Sequence, residues 1–425
     1  MSSAAPVDQT DRKIAGLSSN VIWMGVVSFL NDLSSDMIFP FIPIFLTSVL
    51  GASFTFVGIV EGIADATASV LKIFSGWLSD KWQKRKSFTV FGYSLSAVSK
   101  PILAAALAPW HVLVVRFMDR VGKGSRDAPR DALISLSTER SVYGRAFGFH
   151  RAMDTLGAAL GPLAAFAILP LINQNYRTLF LLSFVASFFA VLILVLFVHE
   201  VRPVSATARS PQERPLVTDV HPTPMPEGRP EAHQSVRWAL LGAPFFLFLG
   251  VATLASLGKA SEAFLILRAR EVGLALTLVP IIYFAFNVTF AALSTPLGIV
   301  ADRVGRRNTF TVGLLVFSAA YLGFAFFATA SSIWLLFITY GLYASLTEGV
   351  GRAIVAGLVL PEVRATAFGI YNASTGLALL PASVIFGYLS QTFGSHVAFS
   401  YGASLVFIAA VGFMFLRRAF PNHRG

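Results

Sequence analysis

The stretch from Arg116 to Asp131 constrains the fold more than any other. It carries Arg116, Asp119, Arg120, Lys123, Arg126, Asp127, Arg130 and Asp131, eight charges in sixteen residues. The chain around it is 55% hydrophobic and only 13% charged, with 39 phenylalanines. A soluble domain carries about 25% charged residues, so this chain reads as a protein that crosses a bilayer many times. A charge near mid-bilayer costs roughly 2.5–3.5 kcal/mol, and eight of them facing lipid would cost on the order of 20 kcal/mol. These side chains must pair, line a watery cavity, or sit at the membrane surface.

Twelve apolar spans are expected, near 20–48, 54–79, 87–108, 110–135, 145–170, 178–199, 237–267, 275–300, 309–329, 332–356, 364–390 and 396–417. Each has at least the roughly 20 residues a helix needs to cross the hydrocarbon core. Residues 1–19 are polar and lack the apolar region of a signal peptide, so the first span should serve as the insertion signal. Residues 200–236 are rich in Pro, Ser, Thr and Glu and have no helical apolar period. They are expected to be a linker. The organisation is then an N-terminal tail (1–19), a six-helix bundle (20–199), the linker (200–236), a second six-helix bundle (237–417) and a C-terminal tail (418–425).

The net charge of +11 does not point to nucleic acid, because the basic residues cluster in short inter-helix loops. Lys81, Lys84, Arg85 and Lys86 form one cluster, Arg303, Arg306 and Arg307 another, and several arginines fall in the linker. By the positive-inside pattern these loops, and with them both termini, belong in the cytoplasm. The absence of cysteine excludes disulfides, thiolate metal sites and cysteine nucleophiles. The seven histidines are scattered without metal-ligand spacing, so neither a metal nor another cofactor is expected, and a membrane-embedded enzyme has no support.

The two halves repeat. Gly76-Trp-Leu-Ser-Asp80-Lys-Trp-Gln-Lys84-Arg85 matches Gly298-Ile-Val-Ala-Asp302-Arg303-Val-Gly305-Arg306-Arg307. Ala146-Phe147-Gly148 matches Ala367-Phe368-Gly369, and Pro162 matches Pro381, at nearly the same separation. Such a repeat implies two bundles related by an axis along the membrane normal.

With these motifs the sequence resembles the major facilitator superfamily of secondary transporters, over nearly everything except the tail and linker. The family's loop signature G-x-L-a-D-r-x-G-r-r fits Gly76, Leu78, Asp80, Lys81 and Arg85, with Gln83 where Gly is usual, and fits the second copy almost throughout. Arg116-x-x-Asp119-Arg120-x-Gly122-x-Gly124 resembles the antiporter pattern R-x-x-q-G-x-G, with Asp119 and Arg120 replacing Gln and Gly. Gly157-x-x-x-Gly161-Pro162 resembles the antiporter helix-packing pattern, and Pro40-x-x-Pro43 the P-x-x-P of drug exporters. The resemblance implies an all-α fold of two pseudo-symmetric six-helix bundles working by alternating access. It also implies that the loops of Asp80 and Asp302 are cytoplasmic latches.

The remaining charges sort by depth. Asp32 and Asp36 lie one turn apart on one face of the first span. Taking a carboxyl out of water favours its neutral form, so Asp36 leads as proton carrier, followed by Asp32, Asp65 and Asp119. Arg116, Arg120, Lys100 and Glu61 are expected near the cavity, with Asn287, Tyr343 and Asn372 offering hydrogen bonds from the second half. Lys100 requires a carboxylate partner, and Glu61 is as consistent with polar contacts near the outer end. Lys72 is expected to snorkel to headgroups. Lys123, Arg126, Asp127, Arg130 and Asp131 are expected in a solvated inner gate with Gly76, Asp80, Arg85, Gly298, Asp302, Arg303 and Arg306, joined by His150, Arg151 and Asp154. Lys259–Glu262 and Glu348–Arg352 have the spacing of internal ion pairs. Arginine stays protonated in essentially any site. It can hold an anionic or zwitterionic substrate, but any moving proton must ride on Asp or Glu.

The expected function is secondary transport of a small molecule across the cytoplasmic membrane by proton-coupled antiport, that is, efflux of a drug-like or anionic or zwitterionic metabolite. The alternatives are proton-coupled uptake of an organic anion or sugar, and a non-transporting sensor on the same scaffold. The expected partners are the substrate, protons and membrane lipids, with the chain a monomer.

Overall fold

The computed structural model describes residues 17–82, 84–138, 142–201, 241–360 and 363–415. Apart from Glu200 and Val201, the linker expected at 200–236 lies outside the described residues, as do most of the N-terminal tail and all of the C-terminal tail. Twelve helical spans are present among the described residues. They are α1 (Ser19–Val49), α2 (Phe54–Trp82), α3 (Arg85–Ala104), α4 (Pro109–Leu136), α5 (Tyr143–Ile168), α6 (Tyr176–Phe197), α7 (Gly242–Glu271), α8 (Val279–Val304), α9 (Arg306–Phe326), α10 (Ile333–Leu358), α11 (Arg364–Phe393) and α12 (Ser395–Phe415).

Nine of the spans are long and apolar enough to cross a membrane by length and hydropathy alone. The other three are α3, α4 and α5, which hold most of the charged stretch and its neighbours. Their polar residues turn toward other helices: Arg116, Arg126, Lys100 and His150 are all buried.

The duplication is written in the packing. In the first half α1 packs on α5 and α6, α2 on α4, and α3 on α4 and α6. The second half repeats every one of these pairs six helices later: α7 on α11 and α12, α8 on α10, α9 on α10 and α12. The halves meet where α2 lies along α11 and α5 along α8, which are again equivalent pairs. Gly58 allows the first of these contacts, since a β-carbon there would overlap the Ser383 carbonyl of α11.

Gly157 and Gly161 do the same between α5 and α1. A β-carbon at Gly161 would stand 2.7 Å from the Leu33 carbonyl and 3.0 Å from the Asp36 carbonyl carbon. The small-residue pattern therefore brings two backbones together, as such patterns do in membranes.

One end of the interface is closed. A continuous apolar cluster runs from Met37–Leu46 of α1, through Leu103–Val115 and Phe180, to Phe264, Tyr283 and Phe286 of the second half. The Phe39 and Tyr283 rings meet across it in a tilted pair with centroids 5.4 Å apart. The end carrying the loops after α2 and α8, called here the basic end, has no such bridge. Its first-half core is a separate small cluster around Met24, Tyr93 and Leu194, while the second-half core there, with Ala301, Phe310 and Phe413, belongs to the large cluster. The clusters place the closure between the halves at the end away from the basic loops.

Two helices depart from a straight ladder. In α1 a 3-10 turn at Phe39–Phe41 and a wider turn at Phe45–Val49 follow the straight part. Pro40 and Pro43 lack the N–H an unbroken ladder needs. In α7 the helix stops at Gly258 and restarts at Ala263, with Lys259 in extended backbone (φ −91°, ψ 114°). The expected continuous span 237–267 is therefore two half-helices.

Candidate functional site

A cavity of about 420 Å³ lies between the halves, below the apolar closure. Its walls carry six cationic side chains (Lys100, Arg116, Arg120, Lys123, Arg126 and Lys259) and six carboxylates (Asp32, Asp36, Glu61, Asp65, Asp119 and Glu262). Every first-half residue expected to carry protons or line the cavity is present. Arg126, expected in the solvated gate, also lines this cavity and is buried. A helical side chain leans toward its own N-terminus, and for α4 that direction leads from the basic end toward the membrane centre.

The charges are not uniformly paired. Arg116 makes a two-pronged bond to Glu61, with Nε donating to Oε1 at 3.1 Å and Nη2 to Oε2 at 2.6 Å. Both side chains are buried. Glu61 is thus held inside the protein rather than making polar contacts at an outer surface, and Arg116 is engaged instead of free for a ligand. Asp119 lies 3.9 Å from Arg116 Nη1. Arg126 donates from Nη1 to Ser96 Oγ at 2.7 Å and lies 4.4 Å above the Tyr93 ring.

The carboxylate partner expected for Lys100 is replaced by hydroxyls. Its ammonium donates to Ser187 Oγ, Ser187 donates to Ser34 Oγ at 2.7 Å, and Ser34 donates to the Ser183 carbonyl. The reason is position: α3 packs on α6, and α6 presents serines within hydrogen-bond reach of the ammonium, whereas no carboxylate comes within 4.0 Å of it among the described residues. Arg120 keeps its Nε without a hydrogen-bond partner. The carboxylates facing it are Asp65, Asp119 and Glu61. Asp36 faces Asp32, Lys123, Glu262 and Arg120.

The break in α7 supplies the second half's part of this wall. Lys259, Ala260, Ser261 and Glu262 all line the cavity. Ser261 N–H donates to Ser383 Oγ at 3.2 Å, and Ser261 Oγ reaches Glu61 Oε2 at 3.4 Å across the interface. Unwound backbone at membrane depth is tolerated where protein or a cavity satisfies it. The unwinding separates Lys259 from Glu262, which have no ion pair within 4.0 Å among the described residues; Lys259 instead lies 5.9 Å from the Tyr343 ring centre. Glu348 and Arg352 likewise have no pair within 4.0 Å among the described residues. Ser261 and the break were missed in sequence. A Gly-Lys-Ala-Ser-Glu run inside an otherwise apolar span was the available signal.

Two wider vestibules open toward the basic end. One, of about 1130 Å³, lies between α5, α8 and α10 and is lined by Asp154, Arg151, Asn287, Glu348 and Arg352, with Asp32 at its inner end. The other, of about 640 Å³, holds Tyr343, Asn372 and Lys72 and shares Lys123 and Lys259 with the central cavity. Asn287, Tyr343 and Asn372 therefore line the approaches rather than the central cavity.

The gate residues divide. Lys72 pairs with Asp127 at 3.5 Å instead of only snorkelling, and Arg130 reaches Asp127 at 3.9 Å and Asp131 at 3.0 Å. Asp302 accepts from Arg306 Nε at 3.0 Å and Nη2 at 2.9 Å, while Arg306 Nη1 reaches the Ala353 carbonyl of α10 at 3.3 Å. Arg303 and Gly298 make no such bond among the described contacts. The surroundings of Gly76 and the side chain of Asp80 lie outside what is described. Arg85 is buried at the start of α3, where Glu200 accepts the Arg85 and Lys86 backbone N–H groups at 3.1 and 2.8 Å. This acidic cap at a helix N-terminus was not anticipated.

Comparison with known proteins agrees with this architecture. The family model described as Major Facilitator Superfamily matches residues 24–266 and 245–425. An uncharacterized MFS-type transporter of Methanocaldococcus jannaschii is 34% identical over 415 residues, covering 96% of this chain and 97% of that protein. The multidrug resistance protein MdtH of Photorhabdus laumondii is 30% identical over 127 residues, 30% of this chain and 31% of that protein. Among solved structures, the nucleoside transporter NupG superposes with a TM-score of 0.73 at 15% identity, covering 94% of this chain and 99% of that one.

Proposed function

The chain belongs to the Major Facilitator Superfamily, and on that premise we propose that it exports a small charged solute across the cytoplasmic membrane by proton-coupled antiport. By family it is a transporter and not an enzyme. The observation that carries the reading is the central cavity, where carboxylates without a close cationic partner face cations without a close carboxylate. Asp36 and Asp32 on α1 are the proposed proton carriers. Arg120 and Lys123 on α4, with Lys259 at the α7 break, are the proposed contacts for a negative group on the substrate. Two of the twelve cavity charges, Arg116 and Glu61, neutralise each other in the buried pair and serve to fix α4 against α2.

Further support comes from the architecture. Discontinuous helices at the repeat interface are where transporters of this kind bind substrates and coupling ions. The positive-inside pattern supports placing the basic end in the cytoplasm, which makes this an inward-open form. The Gly157-x-x-x-Gly161-Pro162 pattern and the multidrug-resistance name of partial relatives favour export.

The test is a ligand panel on the purified protein, read by thermal shift at acidic and neutral pH, spanning lipophilic cations, sugars, organic anions and zwitterions. Anionic or zwitterionic hits that vanish in Arg120→Gln or Lys123→Gln are expected. Hits confined to lipophilic cations, lost in Asp36→Asn, would instead make the carboxylates the substrate site and remove the anion reading.

A further inference from the structure

Asp32 is, among the described residues, the one side chain that lines both the central cavity and the large vestibule. Asp154, on α5, lines the same vestibule nearer the basic end. Gly157 lies against Phe29–Leu33 and Met153 against Gly25, so Asp154, one turn before Gly157, comes against the stretch of α1 from Gly25 to Phe29, one turn nearer the basic end than Asp32. Asp154 is buried, and its Oδ1 has no hydrogen-bond partner. A buried carboxylate oxygen without a donor is costly unless the group is neutral or exchanges its proton. Its Oδ2 lies 3.6 Å from His150 Nδ1, one turn back on the same helix. His150 Nε2 bonds Ser28 Oγ at 2.8 Å, and Ser28 Oγ bonds the Tyr93 hydroxyl at 3.0 Å. None of these groups is needed to bind substrate in the reading above.

We infer that Asp154 and His150 form a second proton-binding site, one step nearer the basic end than Asp36, which takes its proton from Asp32. The inference rests on the proton-coupled reading. In the step, a proton leaves the Asp32 carboxyl and is taken up by Asp154 or His150. Asp32 becomes a carboxylate as the receiving group gains the charge, so the total across α1 and α5 is unchanged. The vestibule, which Asp154 also lines, then gives the proton an exit to the water of the basic end. The Ser28–Tyr93 hydroxyls hold the imidazole through its Nε2, leaving Nδ1 to face Asp154.

Charged neighbours set this site's behaviour from each packed element. From α1 it faces Asp32. From α3 comes the Tyr93 hydroxyl, on the chain through Ser28. From α4 come Arg130, Asp127 and Asp131, and on α5 itself Arg151. Across the vestibule, α8 contributes Asp302, α9 Arg306, and α10 contributes Glu348 and Arg352.

The chain has no cysteine, so a spin-label pair can be placed without background. Gly148→Cys on α5 and Gly349→Cys on α10 both fall in open space on the vestibule wall. The distance between them would be followed in lipid nanodiscs from about pH 5 to about pH 9. The expected result is a pH-dependent shift between two distances, with a midpoint moved by about one pH unit in both Asp154→Asn and His150→Gln and restored toward wild type in Asp154→Glu. If both variants keep the wild-type midpoint while Asp32→Asn or Asp36→Asn moves it, the second site is wrong and the proton-coupled reading stands. If no variant, nor the wild type, responds to pH, both fall. Monodispersity on gel filtration separates these outcomes from misfolding.

Discussion

Glu61 and Arg116 show how one residue pair can change roles between sequence and structure. As isolated charges in apolar spans, each is a candidate ligand. Buried together with two hydrogen bonds, they act as a clamp between α2 and α4. Breaking a buried pair strands the surviving charge, so Arg116→Ala should destabilise the protein by about 3–5 kcal/mol. Pairing it with Glu61→Gln should recover part of the loss, read as thermal stability in detergent. If Arg116→Ala is as stable as wild type but loses ligand binding, Arg116 is a substrate contact after all. The carboxylates of α1 were legible because four-residue spacing puts them on one face. The partner of Lys100 was not, because which helix faces α3 is a tertiary fact, and α6 answers with serine.

At the scale of elements, twelve spans and the two-fold repeat were readable from apolar length and duplicated loops. Nine of the spans are also long and apolar enough by hydropathy alone, and α3, α4 and α5, which carry the buried charges, are not. The α7 break was overlooked because its flanks are apolar enough to read as one helix; only the local Gly-Lys-Ala-Ser-Glu composition betrays it. The α5 glycines read in sequence as a packing pattern, and in the structure they lie against the α1 backbone. Gly161→Leu should force α5 off α1 beside Asp36 and cost about 1–3 kcal/mol. Reduced thermal stability with altered pH dependence is the expected signature, and an unchanged melting temperature would mean that the two helices do not pack this closely.

For the whole molecule, matched packing in both halves, closure at one end and vestibules at the other fit one of the two states that the proposed alternating-access cycle requires. The segment between the halves needs only reach in this account, so deleting most of 203–233 should leave a folded, ligand-responsive protein. A well-folded but unresponsive deletion would give that segment a role beyond tethering. The most direct test of alternating access driven by protons uses two label pairs in the cysteine-free chain. One is Gly148→Cys with Gly349→Cys at the basic end, and the other is Leu171→Cys with Phe327→Cys, both exposed at the closed end. On changing pH, one distance should shorten as the other lengthens. Asn mimics the protonated carboxyl, so Asp36→Asn at high pH should show the distances of wild type at low pH. Distances that stay fixed, that move in the same direction, or that leave Asp36→Asn in the high-pH arrangement would contradict the account.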